Sequence, residues 1–390
     1  MNQLLTDGRT MEGIVSSIIR QEPLRLTYSR LDWERIYRLA DYHKVANIVY
    51  LGVLGYRESL PEKWQGRFFE RYQESLLYGT NYKESVQEVL EWLDKRNVSC
   101  VILFSEVMRE FYRIPEAADT SPLSIYLNEG SYNLAKGYLV DLGYEVDQIC
   151  EGLGERFSRE ASVSVMLYYK LPFRTGKYAR SIQKLLENAC VKESYNRIRV
   201  LTIEGEYLFR MASAVYRYVT DELTIREVLE LQLYHGVLRD RLRADSMARW
   251  LKDLQIDQLS EKLLRISYMW FADRKDQYYD GLPENMSEYD ILEERLLTRG
   301  MINHETDEQA LKLAALIRKE LDKEKREEKL RQLKEKIRER WENVKRVWRW
   351  VFPDYHYMAS IYLTLEKLPV LLPVFWVIRG VRLLGRAIRK

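Results

Sequence analysis

A chain of 390 residues, at roughly 150 per domain, is long enough for two compact units and an appendage, which excludes a single small module. Its 46% hydrophobic residues supply a substantial core, and its 31% charged residues, above the usual ~25%, point to long solvated helices rather than disorder. The 62 Lys and Arg against 59 Asp and Glu leave a net charge of +3, too small to argue for nucleic acid as a partner. Three scattered cysteines, Cys100, Cys150 and Cys190, exclude a disulfide scaffold and fit a reducing cytosol. Asp7, Arg9 and Glu12 interrupt the first twenty residues, so no export signal is expected. The longest apolar run, 368–378, falls short of the ~20 residues of a spanning helix.

Helical spacing opens the chain: Leu31, Ile36, Leu39 and Ala40, then Phe68, Tyr72 and Leu76, then Val86, Val89, Leu90 and Leu93. Residues 1–96 are therefore read as a helical region, with Pro61 and Glu62 opening a new helix. The texture changes at 98–104, a nearly unbroken β-branched and apolar run of the kind buried strands carry. A helix at 106–112, a loop at 114–122, a strand at 123–127 and a helix at 130–142 ended by Gly143 follow. Two further strands are expected at 144–149 and 162–171, which confines the sheet to about 98–173 and an α/β core to 97–175. The glycines of 151–154 read as a turn.

Helical periodicity returns over 176–303, with stripes at Leu208, Met211, Ala212 and Val215, and at Ile225, Val228, Leu229, Leu231 and Leu233. Residues 304–351 are charged at almost every second position and predict one long helix, whose later half carries an apolar stripe from Leu330 to Val351. The last segment, 352–390, combines Pro and Trp with a basic amphipathic end. Arg379, Arg382, Arg386 and Arg389 recur at 3, 4 and 3 residues, a pattern suited to packing on the body with the arginines solvated, to peripheral contact with an anionic membrane surface, or to nucleic acid or an acidic partner.

Four stretches carry a family resemblance. The first runs through Leu103-Phe104-Ser105, Tyr112-Arg113-Ile114-Pro115-Glu116-Ala117-Ala118, Ser121-Pro122-Leu123-Ser124-Ile125-Tyr126-Leu127 and Leu142-Gly143-Tyr144. The second is 165–171, the third is 212–218 with 225–231, and the fourth is the tail with Phe352-Pro353-Asp354, Leu371-Leu372-Pro373 and Trp376. In order and spacing the chain resembles the bacterial family of uncharacterised nucleotidyltransferases with the polymerase-β-type fold. The resemblance implies an α+β protein: a small mixed sheet embedded in helices, with a long charged helix near the C-terminus.

It also implies where the chemistry would sit. Nucleotidyl transfer is an in-line attack on an α-phosphate, assisted by divalent cations that carboxylates clamp. The paired acids of the family motif fall here on Pro122 and Ser124, the third acid on Met166, and the phosphate-side Lys and Arg on Phe104 and Ala118. A hydroxyl and a thioether are poor magnesium ligands. The expectation is a degenerate member without a cofactor, binding a small molecule, a nucleotide or a protein partner; the alternative is an active magnesium-dependent transferase moving a nucleoside monophosphate to a small molecule, sugar or protein. Acids that could restore a site are Glu106, Glu116, Asp119 and Glu129, and a nucleotide could still meet Ser105, Glu106 and Ser124 where a helix begins. His43, His235, His304 and His356 lie too far apart to suggest a zinc site.

Overall fold

The computed structural model describes residues 3–24, 31–55, 60–118, 121–150, 153–171, 176–273, 287–298 and 369–378, together with isolated positions between 315 and 358. The chain divides into two compact units, Met1–Glu320 and Leu321–Lys390. The expected long helix of 304–351 and the arginines from Arg379 onward lie mostly or wholly outside the described residues; Leu330, Leu333 and Trp341, from the apolar stripe, are described as helical and exposed.

The first unit opens with four helices, α1 (Gln3–Arg20), α2 (Trp33–Tyr42), α3 (Ala46–Val53) and α4 (Glu62–Lys95). Pro61 stands at the N-cap of α4, where its missing N–H costs nothing. The sheet follows. β1 (Cys100–Ile102), β2 (Leu123–Tyr126), β3 (Glu145–Cys150), β4 (Gly154–Ser158) and β5 (Val165–Tyr168) are joined by β6 (Cys190–Val191) and β7 (Ile198–Val200) in the spatial order β3-β4-β5-β2-β1-β7-β6. Pairing is mixed: β2 runs parallel to β5 and β1 parallel to β7, and the other neighbours are antiparallel. The class is α+β, as expected.

Two expectations about the sheet are corrected. It extends beyond residue 173, because Ile198–Val200 lies alongside β1 and brings Cys190–Val191 with it. The glycine turn before residue 154 leads into a strand that was not expected: β4 pairs with both β3 and β5, and its first residue has to be glycine. A Cβ at Gly154 would lie 1.9 Å from the Leu167 carbonyl oxygen, closer than any side chain tolerates. The expected helix at 106–112 is a tighter 3-10 helix over Glu106–Phe111.

One sheet face carries the main core. Leu123 and Ile125 of β2 and Val165 and Leu167 of β5 meet Val86, Val89, Leu90 and Leu93 of α4 and Tyr132, Ala135 and Leu139 of α5 (Glu129–Asp141). Asn128 starts α5 by accepting a hydrogen bond from the Ser131 N–H at 2.8 Å, and Gly143, at φ +83°, ends it in the left-handed conformation. Strand alternation then sends Ser124, Tyr126, Met166 and Tyr168 to the opposite face.

The chain continues through α6 (Gly176–Glu187), α7 (Ile203–Val219), α8 (Ile225–Leu238), α9 (Ala244–Asp253), α10 (Asp257–Phe271) and α11 (Ser287–Thr298). Both stripes expected on α7 and α8 are inward: Leu208, Met211, Ala212, Val215, Val228 and Leu229 are buried. α1 packs against α2, α3, α10 and α11, so the helices before and after the sheet share one body. Among the described residues no helix is long and apolar enough to cross a membrane.

Candidate functional site

The second sheet face, α7 and α8 enclose a cavity of about 210 Å³. It is lined by Ser121, Pro122 and Ser124 at and before β2, by Tyr168 of β5, by Phe104 and Ser105, and by Lys44 and Arg226. A polar cavity of about 300 Å³ adjoins it, sharing Lys44, Ser121, Pro122 and Arg226 and adding Arg71, Glu74 and Arg156.

Two of the three positions on which the family motif's acids fall, Pro122 and Ser124, line the cavity, and the third, Met166, adjoins Ser124. Ser124 pairs with Met166 across the parallel β2–β5 ladder, both are buried, and Pro122 precedes them on the same strand edge. The Ser124 hydroxyl reaches no further than the Pro122 carbonyl, at 3.4 Å. Arg156 on β4 stands opposite Met166. The side chains at these three positions are a pyrrolidine ring, a hydroxyl and a thioether.

The other expected residues scatter. Phe104 lines the cavity, its ring 5.3 Å from that of Phe209 and 4.7 Å from the Arg210 guanidinium. Ala118 is buried, and its carbonyl accepts from Ser75 and Asn47. Ser105 lines the cavity, but its backbone N–H donates to Glu206 Oε1 at 3.0 Å and is not turned to a ligand. Glu106 accepts from Lys192 Nζ at 2.6 Å and does not line the cavity, nor do Glu116 and Glu129. Asp119 lies outside the described residues. His43 accepts from the Ile225 N–H at 3.3 Å and His235 contacts the Tyr268 hydroxyl at 2.7 Å, which makes both part of helix packing.

The charged groups that do face the cavity come from α7 and α8. Arg210, almost fully buried, donates from Nε and Nη2 to Glu206 Oε1 at 3.0 and 2.8 Å and from Nη1 to Glu230 Oε2 at 3.0 Å. Burial works against its charge, but Glu206 and Glu230 outweigh it and lift the guanidinium above its ordinary value. Arg217 gives Nη1 to Glu227 Oε1 at 2.7 Å, while its Nε is buried with no hydrogen-bond partner. Glu227 also closes the capping box of α8: its carboxylate accepts from the Thr224 N–H at 3.0 Å while its own N–H donates to Thr224 Oγ1 at 3.3 Å. Both cavity carboxylates are therefore already committed. Burial pushes the Tyr168 phenol up, so it faces the cavity as a neutral donor.

Arg226 pins the site to the N-terminal helices. It donates to the Lys44 carbonyl from Nε at 3.0 Å and Nη2 at 2.8 Å, to the Tyr112 hydroxyl at 3.1 Å, to Asn47 Oδ1 at 2.7 Å, and to the Ala117 carbonyl. Lys44 turns that carbonyl inward by adopting φ +58°, while the residue itself stays exposed at the rim shared by the two cavities.

The cation-rich lining is the feature that sequence reading missed. Lys44, Arg109, Arg210, Arg217 and Arg226 face the cavity against Glu227 and Glu230 alone. A trace of it stood in the sequence, as the i, i+4 pair Glu206 and Arg210 and the i, i+7 pair Arg210 and Arg217, which share one helix face. Among the described residues, no three His, Cys, Asp or Glu side chains gather as a group that could hold a metal ion.

A model of an uncharacterised nucleotidyltransferase family matches residues 29–272, which span α2–α4, the whole sheet and both helices over the cavity. Comparison with curated proteins and with solved structures gave no match. With the match covering more than half of the chain and taking in every element that builds the cavity, the protein belongs to that family of uncharacterised nucleotidyltransferases.

Proposed function

We propose that this chain is a catalytically degenerate nucleotidyltransferase, which uses the cavity between the sheet and α7–α8 to bind a phosphate-bearing ligand without a metal. One observation carries the reading: Pro122 and Ser124 line the cavity, Met166 faces Ser124 across the β2–β5 ladder, and none of the three can clamp a divalent cation. Where a transferase would hold metal between carboxylates and triphosphate, this cavity offers the Lys44 ammonium and Arg217, whose Nε has no hydrogen-bond partner. Guanidinium forks bind phosphate oxygens directly, in geometry that needs no metal bridge. Phe104, with its ring against Phe209, provides an apolar wall for the remainder of the ligand.

The second reading is an active, metal-dependent transferase. It would have to recruit Glu227 and Glu230 as ligands, at the cost of their pairs with Arg217 and Arg210. A thermal-shift panel of the four nucleoside triphosphates and pyrophosphate, each with and without magnesium or manganese, separates the two. A ligand at 100 times its dissociation constant adds about 2.7 kcal/mol. In a unit of 320 residues, with an unfolding entropy of about 2.1 cal/mol/K per residue, that is a rise of about 4 °C. The degenerate reading expects the rise with metal absent; a rise only with metal, accompanied by pyrophosphate release, supports the transferase.

A further inference from the structure

The polar cavity of about 300 Å³ beside the first one carries an excess of positive charge. Four cationic side chains line it, Lys44, Arg71, Arg156 and Arg226, against two carboxylates, Asp41 and Glu74. Both carboxylates are taken by one partner: Arg71 Nε lies 2.7 Å from Asp41 Oδ1, and its Nη1 donates to Glu74 Oε2 at 2.8 Å. Arg226 is occupied by its hydrogen bonds to Lys44, Asn47, Tyr112 and Ala117. Lys44 and Arg156 remain.

The sheet sets the position of Arg156. It stands opposite Met166 across the antiparallel β4–β5 ladder, and Met166 stands opposite Ser124 across the parallel β5–β2 ladder, so the three side chains form one row on the cavity face. A thioether and a hydroxyl accompany the guanidinium, and the row holds no carboxylate. On β3, Asp147 Oδ2 lies 3.3 Å from Arg156 Nε as an ion pair, yet that nitrogen is buried and makes no hydrogen bond. A guanidinium held by charge alone at a cavity wall keeps its donors for an anion. Arg156 lines only the polar cavity and Arg217 only the first, whereas Lys44, Ser121, Pro122 and Arg226 line both. The two cavities are therefore compartments of one site, with Lys44 common to them.

We propose that the polar cavity is a second anion subsite for the same ligand, which carries two phosphate groups at separate points of its skeleton: one meets Arg217, the other meets Arg156, and Lys44 serves both. The inference rests on the reading of the first cavity as a metal-free phosphate site. It narrows the ligand from any phosphate-bearing molecule to one with two separated phosphates. Groups joined through one skeleton act on each other's subsites at an effective concentration on the order of millimolar, so the second phosphate raises affinity without altering the first contact.

The test is isothermal titration of the full chain in EDTA with three probes, AMP and the 2′,5′- and 3′,5′-bisphosphates of adenosine. At least one bisphosphate should bind about tenfold tighter than AMP. Arg156→Gln should remove that gain while AMP affinity and the ligand-free thermal midpoint stay unchanged, and Arg156→Lys should keep part of it. Arg217→Ala should weaken all three probes. If AMP binds and neither bisphosphate binds tighter, the second subsite is overturned and the reading of the first cavity stands. If none of the three binds, the reading of the first cavity fails and takes this proposal with it. A gain that survives Arg156→Gln, or a loss in that variant equal for AMP and the bisphosphate, also overturns the proposal, the latter by placing Arg156 on the first phosphate.

Discussion

Replacing Arg226 with alanine tests the joint on which the cavity rests. The side chain is one of the largest fully buried in the protein, and it gives five hydrogen bonds to four acceptors on three separate stretches of chain. Asn47 continues the joint, donating to Ser75 Oγ at 3.1 Å and the Glu116 carbonyl at 2.9 Å, so α2–α3, α4, the 115–118 loop and α8 meet at one guanidinium. Each buried acceptor left unsatisfied costs about 1–3 kcal/mol, partly offset because the charge no longer has to be desolvated. The net loss should be about 4 kcal/mol. Spread over the unfolding entropy of the 320-residue unit, about 0.7 kcal/mol/K, that lowers the thermal midpoint by about 6 °C. Arg226→Met keeps most of the apolar stem and should lose nearly as much, since the donors rather than the stem carry the effect. Differential scanning calorimetry of both variants is the assay. A drop under about 2 °C for Arg226→Ala, or full recovery by methionine, would refute the hydrogen-bonded joint as the source of the stability.

Three further outcomes follow from particular contacts. Burial first, and then the facing Glu293 carboxylate, raise the Glu12 carboxyl to about 8 despite Arg9 and Arg20. Because the folded state holds this proton more tightly than the unfolded state, the related stability is complete below about 4.5, declines as pH rises, and is gone above about 8; Glu12→Gln should therefore raise the midpoint at pH 8.5, little at pH 4, and equal gains at both would contradict the assignment. Gly154→Ala should force β4 away from the Leu167 carbonyl and cost at least about 2 kcal/mol, read as a fall of about 3 °C in the midpoint, whereas an unchanged midpoint would mean the strands separate freely. Lys44→Gly removes the rim ammonium while relieving a left-handed backbone worth about 1 kcal/mol, so it should weaken ligand binding about tenfold without lowering stability; loss of both together would make Lys44 a structural residue.

What could be read from the sequence followed from local pattern. The strands at 100–102, 123–126, 145–150 and 165–168 each carry alternation or an apolar run of their own, and α5 has its cap in Asn128 and its stop in Gly143. β7 has neither: Ile198-Arg199-Val200 is three residues long, and what makes it a strand is the distant Cys100–Ile102 beside it. β4 offers a single large buried side chain, Phe157, and a glycine that looks like a turn until the Leu167 carbonyl is placed against it. Ser124 and Met166 face each other because β2 and β5 pair in parallel, a pairing that no local pattern in either strand announces. The basic lining was not legible either, because which face of α7 looks onto the sheet is a tertiary fact: the same helix carries an apolar stripe at Leu208, Met211 and Val215 and a charged one at Glu206, Arg210 and Arg217.

The most direct test of a metal-free cavity is a calorimetric titration of ATP into the protein in EDTA, repeated with millimolar magnesium and then with Arg217→Ala. The account expects binding in EDTA, equal or weaker binding with magnesium because the metal competes for the phosphates, and about a tenfold loss in the arginine variant. Binding that appears only with magnesium and survives Arg217→Ala would contradict it, and would place a working metal site on the β2–β5 face.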